Sequence, residues 1–195
     1  MAEVKLITTL EEFEAERRRG IGVVLPPTGE WKEASLDNIR NFTDGIGDYN
    51  PLWRDEEYAG NSRFGMVVAS PSWIFSPSIG AGVSGSGTIG RERIANKYFP
   101  LNYAGCEMEW FRPIWKGDKI RLVEQVGDIQ KKESRRLGPI LLCSGLTSYY
   151  NQRNELVATL NAVMARYLNI GRGMDYERKF LISGPDNISW AEFYG

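Results

Sequence analysis

The 195-residue chain has no histidine. That removes the commonest general base near neutral pH, the partner of most serine and cysteine nucleophiles, and the usual zinc ligand. A Ser-His-Asp triad cannot be assembled from this chain, and no metal site is expected. Cysteine is scarce as well: Cys106 and Cys143 are the only two. They read as free thiols in small core niches, with no imidazole to activate either. Charge of one sign is lacking too, since the formal net charge is −1. Such a chain has no global field to gather nucleic acid or an anionic bilayer, so any anionic ligand needs a local patch. No apolar run approaches the ~20 residues that span a membrane, and Met1-Ala2-Glu3-Val4-Lys5 has no signal-peptide pattern. A soluble cytoplasmic protein is expected, without nucleic-acid or membrane partners.

What is present suits one folded core with extensions. Thr9 caps a helix running to Arg17-Arg18-Arg19 before Gly20, with Glu12 placed for a capping box. Ser35 caps a second, with Leu36, Ile39 and Phe42 at helical spacing and Gly45-Ile46-Gly47 to stop it. Asp55 to Asn61 reads as a third, with Tyr58 and Ala59 on one side. Ser70 followed by Pro71 marks the start of a buried helix that Pro77 would kink or shorten. The second half changes character. Glu107–Trp110, Lys119–Asp128, Ile140–Tyr150 and Leu156–Tyr167 read as antiparallel strands, joined by turns over Pro113–Asp118, Lys131–Pro139 and Asn151–Glu155. Helices first and a strand meander second imply an α+β protein. Residues 1–168 are read as one domain, and 169–195 as an aromatic-bearing tail that docks on the domain or on a partner.

Four segments carry a resemblance. Gly47-Asp48-Tyr49-Asn50-Pro51-Leu52-Trp53 with Asp55 and Tyr58-Ala59 resembles the signature of MaoC-like (R)-specific enoyl-CoA hydratases. Ser62 to Pro71 is similar to the stretch leading into that family's central helix, in the manner of its FAS1-like dehydratase branch. Arg112-Pro113 with Gly117-Asp118 resembles its strand and turn. Asn151-Gln152-Arg153-Asn154-Glu155-Leu156-Val157-Ala158 resembles its hairpin, with Asn154 in place of glycine. Their common order makes the likeness fairly specific.

The resemblance implies a hot-dog fold, in which an antiparallel sheet wraps a long central helix, here with an N-terminal helical extension. It also implies hydratase/dehydratase activity on an acyl thioester of the 2-enoyl-CoA or 3-hydroxyacyl-CoA type. No cofactor is implied beyond the coenzyme A or acyl-carrier pantetheine that belongs to the substrate. Asp48 becomes the acid/base, and Asn50 orders the loop or touches the water. Trp53, Ala69, Ser70, Ser72 and Trp73 become the substrate-binding group, with amides near Ser70 facing the thioester oxygen, where charge develops. One departure stands out: Trp53 occupies the place of the family's catalytic histidine, and an indole only donates. Three arrangements then remain. The chain works in a hetero-oligomer whose second hot-dog subunit supplies the histidine, it works alone through Asp48, or it binds acyl thioesters without catalysis; a homo- or hetero-oligomer with another hot-dog subunit is expected as the assembly.

Each motif also has a plain alternative. Asp48 and Asn50 before Pro51 suit a turn, and Trp53 suits packing. Lys131, Lys132, Arg135 and Arg136 are a candidate grip for coenzyme A phosphates, but a charged run in a hairpin is more often solvated. The Gly80–Gly87 run follows a proline-containing helix rather than a strand, which excludes a nucleotide loop and leaves a channel wall or linker.

Overall fold

A computed structural model describes residues 7–25, 31–76, 88–89, 92–93 and 99–168. The Pro26–Gly29 turn, Pro77, nearly all of the Gly80–Gly90 run and the 169–195 tail lie outside the described residues. Helix α1 (Leu10–Arg19) carries the expected capping box, with Thr9 accepting from Glu12 N–H, and ends at Gly20. Helix α2 (Leu36–Ile46) is capped by Ser35 and ends at Gly47, whose φ of 71° lies where glycine is favoured. Ile39 is buried and Phe42 packs on the core; buried Thr43 returns its hydroxyl to Ile39 O at 3.0 Å. Helix α3 (Glu56–Gly60) is capped by Asp55. Of the two positions expected on one side of it, Ala59 is buried, whereas Tyr58 stands 53% exposed. The pair does not share a core face, because so short a helix turns only Ala59 toward the core.

Among the described residues seven strands are present: β1 (Lys32–Glu33), β2 (Thr88–Ile89), β3 (Glu92–Arg93), β4 (Leu101–Trp110), β5 (Lys119–Ser134), β6 (Gly138–Asn151) and β7 (Leu156–Tyr167). Five form one antiparallel sheet in the order β1-β5-β6-β7-β4, and β2 pairs with β3 separately. Buried residues alternate along β5 through Ile120, Leu122 and Val126, and along β7 through Leu160, Ala162 and Met164. This period of two builds one inner face. A bulge between Val126 and Ile129 breaks the β5–β6 register. Gly127 sits there, where a Cβ would come within 2.9 Å of the Ser144 backbone.

The strands outrun their sequence signal. β4 begins at Leu101 rather than Glu107, and β5 and β6 continue past Asp128 and before Ile140 until only Arg135–Leu137 remain as the turn. The extra residues, Lys131 to Glu133, are exposed. They pair through the backbone beyond the core, where polar side chains are tolerated. The segment after Ser70 also differs from expectation. It opens as a 3-10 helix, Pro71–Phe75, with Trp73 and Ile74 fully buried, and the chain just beyond Ser76 lies outside the described residues.

The core has two parts. One is centred on Ile39, Val67, Trp73, Ile120, Tyr149 and Leu160. The other lies under α1, where Ile7, Leu10, Phe13, Phe99, Ile129, Leu141 and Cys143 meet. Both cysteines are free, Cys106 exposed and Cys143 buried.

Candidate functional site

The loop after α2 is built almost entirely from its own side chains. Gly47 turns the chain, and Asp48 N–H returns to Thr43 O at 2.8 Å. Asp48 Oδ1 then accepts Asn50 N–H at 3.2 Å, and Asn50 Oδ1 accepts Leu52 N–H at 3.0 Å. Asn50 thereby caps a 3-10 turn over Pro51–Trp53, with proline at the position where its missing N–H costs nothing. The turn carries Trp53 back so that its indole Nε1 donates to Asp48 Oδ2 at 2.9 Å. Both oxygens of the half-buried Asp48 carboxylate are thus engaged by N–H groups of the same loop. Trp53 does more than fill space. It is a fixed donor on the candidate carboxylate, in the position where the resemblance implies an imidazole.

One backbone bond ties this turn to the segment before the buried 3-10 helix, and a second ties that segment to Ile114. Val68 N–H donates to Leu52 O at 3.4 Å, and Ala69 N–H to Ile114 O at 2.8 Å. Between them runs a groove of about 290 Å³, lined by Trp53, Phe64, Ala69, Ser70, Trp110 and Phe111 among others. Arg63 and Arg112 also line it. Arg63 and Phe64 in turn border a wider, open depression of about 690 Å³ beside α3. Ser70 is 1% exposed, and its hydroxyl lies 3.1 Å from that of Ser72.

Among the described residues the helix tip is the 3-10 stretch Pro71–Phe75. A five-residue 3-10 helix sums few peptide dipoles, so its donors act as individual amides. Pro71 has no N–H, Trp73 N–H returns to Ser70 O, and Ala69 N–H is taken by Ile114. The Ser70 and Ser72 amides are left over among the described residues.

Of the expected site residues, the structure brings Trp53, Ala69 and Ser70 together at the groove and ties Asp48 to it through Trp53. Asn50 stands one turn back as a cap. Ser72 and Trp73 follow Ser70, with Trp73 wholly buried. Lys131, Lys132, Arg135 and Arg136 are not brought to this groove. They lie at the far end of the β5–β6 hairpin, about 40–55 Å of strand from the Lys119 end at ~3.3 Å per residue, and Lys131 pairs with Glu11 at 3.5 Å. The groove residues Phe64, Trp110 and Phe111 fall in or beside segments that carry the resemblance, but nothing there marks them as lining, because no local pattern separates a wall residue from a core one. Arg112 has one, its motif with Pro113, but that reads equally as structural.

Paired charges hold the turn and hairpin that adjoin the groove residues Arg112 and Ile114. Glu155 takes hydrogen bonds from Asn151 (2.7 Å) and Arg153 (2.9 Å), which hold its carboxyl below the ordinary range, and Arg112 approaches it at 3.7 Å. Buried Asp118 accepts from Gln152, Arg153 and Trp115 N–H, fixing the turn after Ile114. Lys116 pairs with Glu56 across to α3, and that ammonium holds the Glu56 carboxyl below its usual range. In the same hairpin as Glu155, Asn154 has a φ of 61°, in the left-handed region where asparagine is the best substitute for glycine. Among the described residues no group of three or more Cys, Asp or Glu side chains is placed to hold a metal. No described helix is long and apolar enough to cross a membrane.

Residues 21–160 match the family model for the FAS1-like, dehydratase domain region. A probable enoyl-CoA hydratase alpha subunit of Thermomonospora curvata is 28% identical over 170 residues, covering 80% of this chain and 52% of that protein. The chain therefore spans about half the length of that relative. Among solved structures, the MaoC-like dehydratase of Rhodospirillum rubrum superposes with a TM-score of 0.59 at 23% identity, covering 76% of this chain and 93% of that one. The ChsH1–ChsH2 complex of Mycobacterium tuberculosis gives 0.63 at 17% identity, over 84% and 95%. These likenesses extend to the fold, an α+β hot-dog. With residues 21–160, most of the chain, matched by its model, the chain belongs to the FAS1-like, dehydratase domain region family.

Proposed function

We propose that this chain is the acyl-holding half of a hydratase/dehydratase that acts on a 2-enoyl or 3-hydroxyacyl thioester, with a second hot-dog subunit supplying the histidine. The observation that carries the proposal is the bond from Trp53 Nε1 to Asp48 Oδ2. Hydration adds a water oxygen to C3 and a proton to C2, so a base must accept a water proton while an acid delivers one. Asp48 has both oxygens occupied by loop donors, and Trp53 neither accepts nor relays a proton. The aromatic groove and the Ser70 and Ser72 amides suit an acyl chain and its thioester oxygen, which needs donors as enolate charge develops. Arg63 and Arg112 suit an anionic portion of the same ligand. The relative described as an alpha subunit, and the two-subunit complex among the structural neighbours, support a paired assembly. Coenzyme A or an acyl-carrier pantetheine enters on this reading only as part of the thioester substrate and stays attached to the product, and no separate cofactor is used.

A non-catalytic acyl-thioester binder is the second reading, favoured by the same occupied carboxylate. Hydration of a 2-enoyl-CoA by the purified chain, by the chain with its hot-dog partner, and by each with Asp48→Asn separates them. Activity only in the mixture supports the paired enzyme. Turnover by the chain alone that Asp48→Asn abolishes contradicts it, and binding without turnover in any mixture supports the second reading.

A further inference from the structure

We infer that the open edge of the sheet selects against a second copy of this chain and for a different hot-dog subunit, whose edge strand places lysine or arginine opposite Glu107 and Glu109. The inference rests on the paired assembly proposed above and adds the chemistry of the partner.

The two edges of the sheet are treated differently. The β5 edge is closed by its own chain: Gly22 N–H donates to Val126 O (2.9 Å), Leu25 N–H to Glu124 O (2.8 Å), and Val126 N–H to Val23 O (3.0 Å). β1 continues that cover at Lys119 and Ile120. On the other side β4 is the last strand of the sheet, ten residues long, with no further strand beside it among the described residues. A long open edge is a template for another strand unless something covers it.

The faces of β4 say what kind of strand fits. Cys106, Met108 and Trp110 stand opposite Ala162, Leu160 and Ala158, on the inner face. Their β7 partners are buried, yet Trp110 is 44% exposed and Cys106 is exposed. The apolar inner layer therefore runs past β7 and stops uncovered, next to the groove that Trp110 lines. Glu107 and Glu109 stand on the outer face, opposite Asn161 and Thr159. One strand further in, the same positions hold Leu146 and Ser148. No cation occupies these cross-strand positions, and neither glutamate makes an ion pair among the described residues.

Symmetry sets those two glutamates against self-pairing in the registers centred on Glu107 to Glu109. Two copies of one strand pair antiparallel about a two-fold axis, so the pattern meets itself reversed. To keep both inner faces on one side, the axis must pass through a residue rather than between residues. An axis at Met108 sets Glu107 against Glu109 twice, and an axis at Glu107 or Glu109 sets that residue against its own copy. An axis at Cys106 leaves the Glu107 pair diagonal. Like charges directly opposite across strands oppose pairing, and opposite charges favour it. A partner with cations at these positions gains twice, which is how edges reject wrong partners.

The test measures mass and needs no substrate, so it stands apart from the hydratase reading. The full chain is compared with Glu107→Lys/Glu109→Lys and Glu107→Gln/Glu109→Gln forms, with folding of each checked by circular dichroism. Sedimentation is run on each form alone and on the wild type mixed with the lysine form. The mixture is expected to dimerise about tenfold or more tightly than either form alone, with added salt weakening it. The neutral glutamine form is expected to self-associate more tightly than the wild type. If the wild type alone pairs as tightly as the mixture, or if folded variants show no preference, the inference is overturned while the hydratase reading survives.

Discussion

The two ends of this sheet bury polar groups in opposite ways. At the groove end, Asp48, Asn50 and Asp55 hold short loops at the surface, each satisfied by N–H groups within five residues. At the far end, under α1, Arg17 and Arg166 are 1% and 2% exposed, and burial lowers the pKa of both guanidiniums. Arg17 Nη2 donates to Ser144 O at 2.9 Å and Arg166 Nη1 to Phe99 O at 2.9 Å. Arg17 Nε and Nη1 find no acceptor among the described residues. The deeply buried arginines therefore lie away from the described groove, and the candidate chemistry sits where a shallow carboxylate accepts a hydrogen bond at each oxygen. Burial of Arg17 and Arg166 marks packing of a helix onto a sheet and burial of Asp118 fixes the turn after Ile114, whereas a converging set of local donors marks the site.

Substitutions sharpen that contrast. The largest effect is expected at Trp73, wholly buried beneath the groove with its indole N–H unpaired among the described residues. Trp73→Ala is expected to cost about 3–5 kcal/mol in denaturant unfolding, and Trp73→Phe clearly less, because phenylalanine removes a buried donor that has nothing to bond. Arg17→Met comes next. It loses one bond to Ser144 O but also a costly buried charge, so the net change is expected within about 1 kcal/mol. A loss as large as that of Trp73→Ala would mean that Arg17 holds an anion. The sign with pH comes from the lowered guanidinium pKa. The unfolded chain binds that proton more readily, so the cost is present at neutral pH and relieved only as pH rises through the lowered value. The smallest effect is chemical: burial pushes the Cys143 thiol up and keeps it protonated. Ellman's reagent is expected to titrate Cys106 alone in the native protein and both thiols after unfolding. Two rapid thiols in the native state would show that the far core opens readily.

Much of this is legible in the chain because the signals are local. Thr9 with Glu12, Ser35 with Asn38, and Pro71 after Ser70 each name a helix start within four residues, and all three starts stand where expected. The strand meander is legible from alternation, but its ends are not. Lys131 and Glu133 join the ladder through their backbone, so side-chain composition carries no trace of it. The type of the Pro71–Phe75 helix is hidden for a related reason: proline at a first turn suits 3-10 and α equally. The Asp48 loop is readable as a motif and as a turn, but the bond that ties Trp53 to Asp48 is not. It depends on how tightly the Pro51–Trp53 turn winds, which propensities do not encode. The identity of the open edge, and the charges along it, emerge only from the β4–β7 register.

The central claim is that Trp53 takes the place of the proton-transferring group beside Asp48. The most direct measurement is 2-enoyl-CoA hydration by the chain alone as wild type, Trp53→His, Trp53→Phe and Trp53→His/Asp48→Asn. The account predicts negligible turnover for the wild type, at least about tenfold more for Trp53→His, and loss of that gain in the double variant. Hydration by the wild type as fast as by Trp53→His, or a histidine form no better than the phenylalanine form, would contradict it.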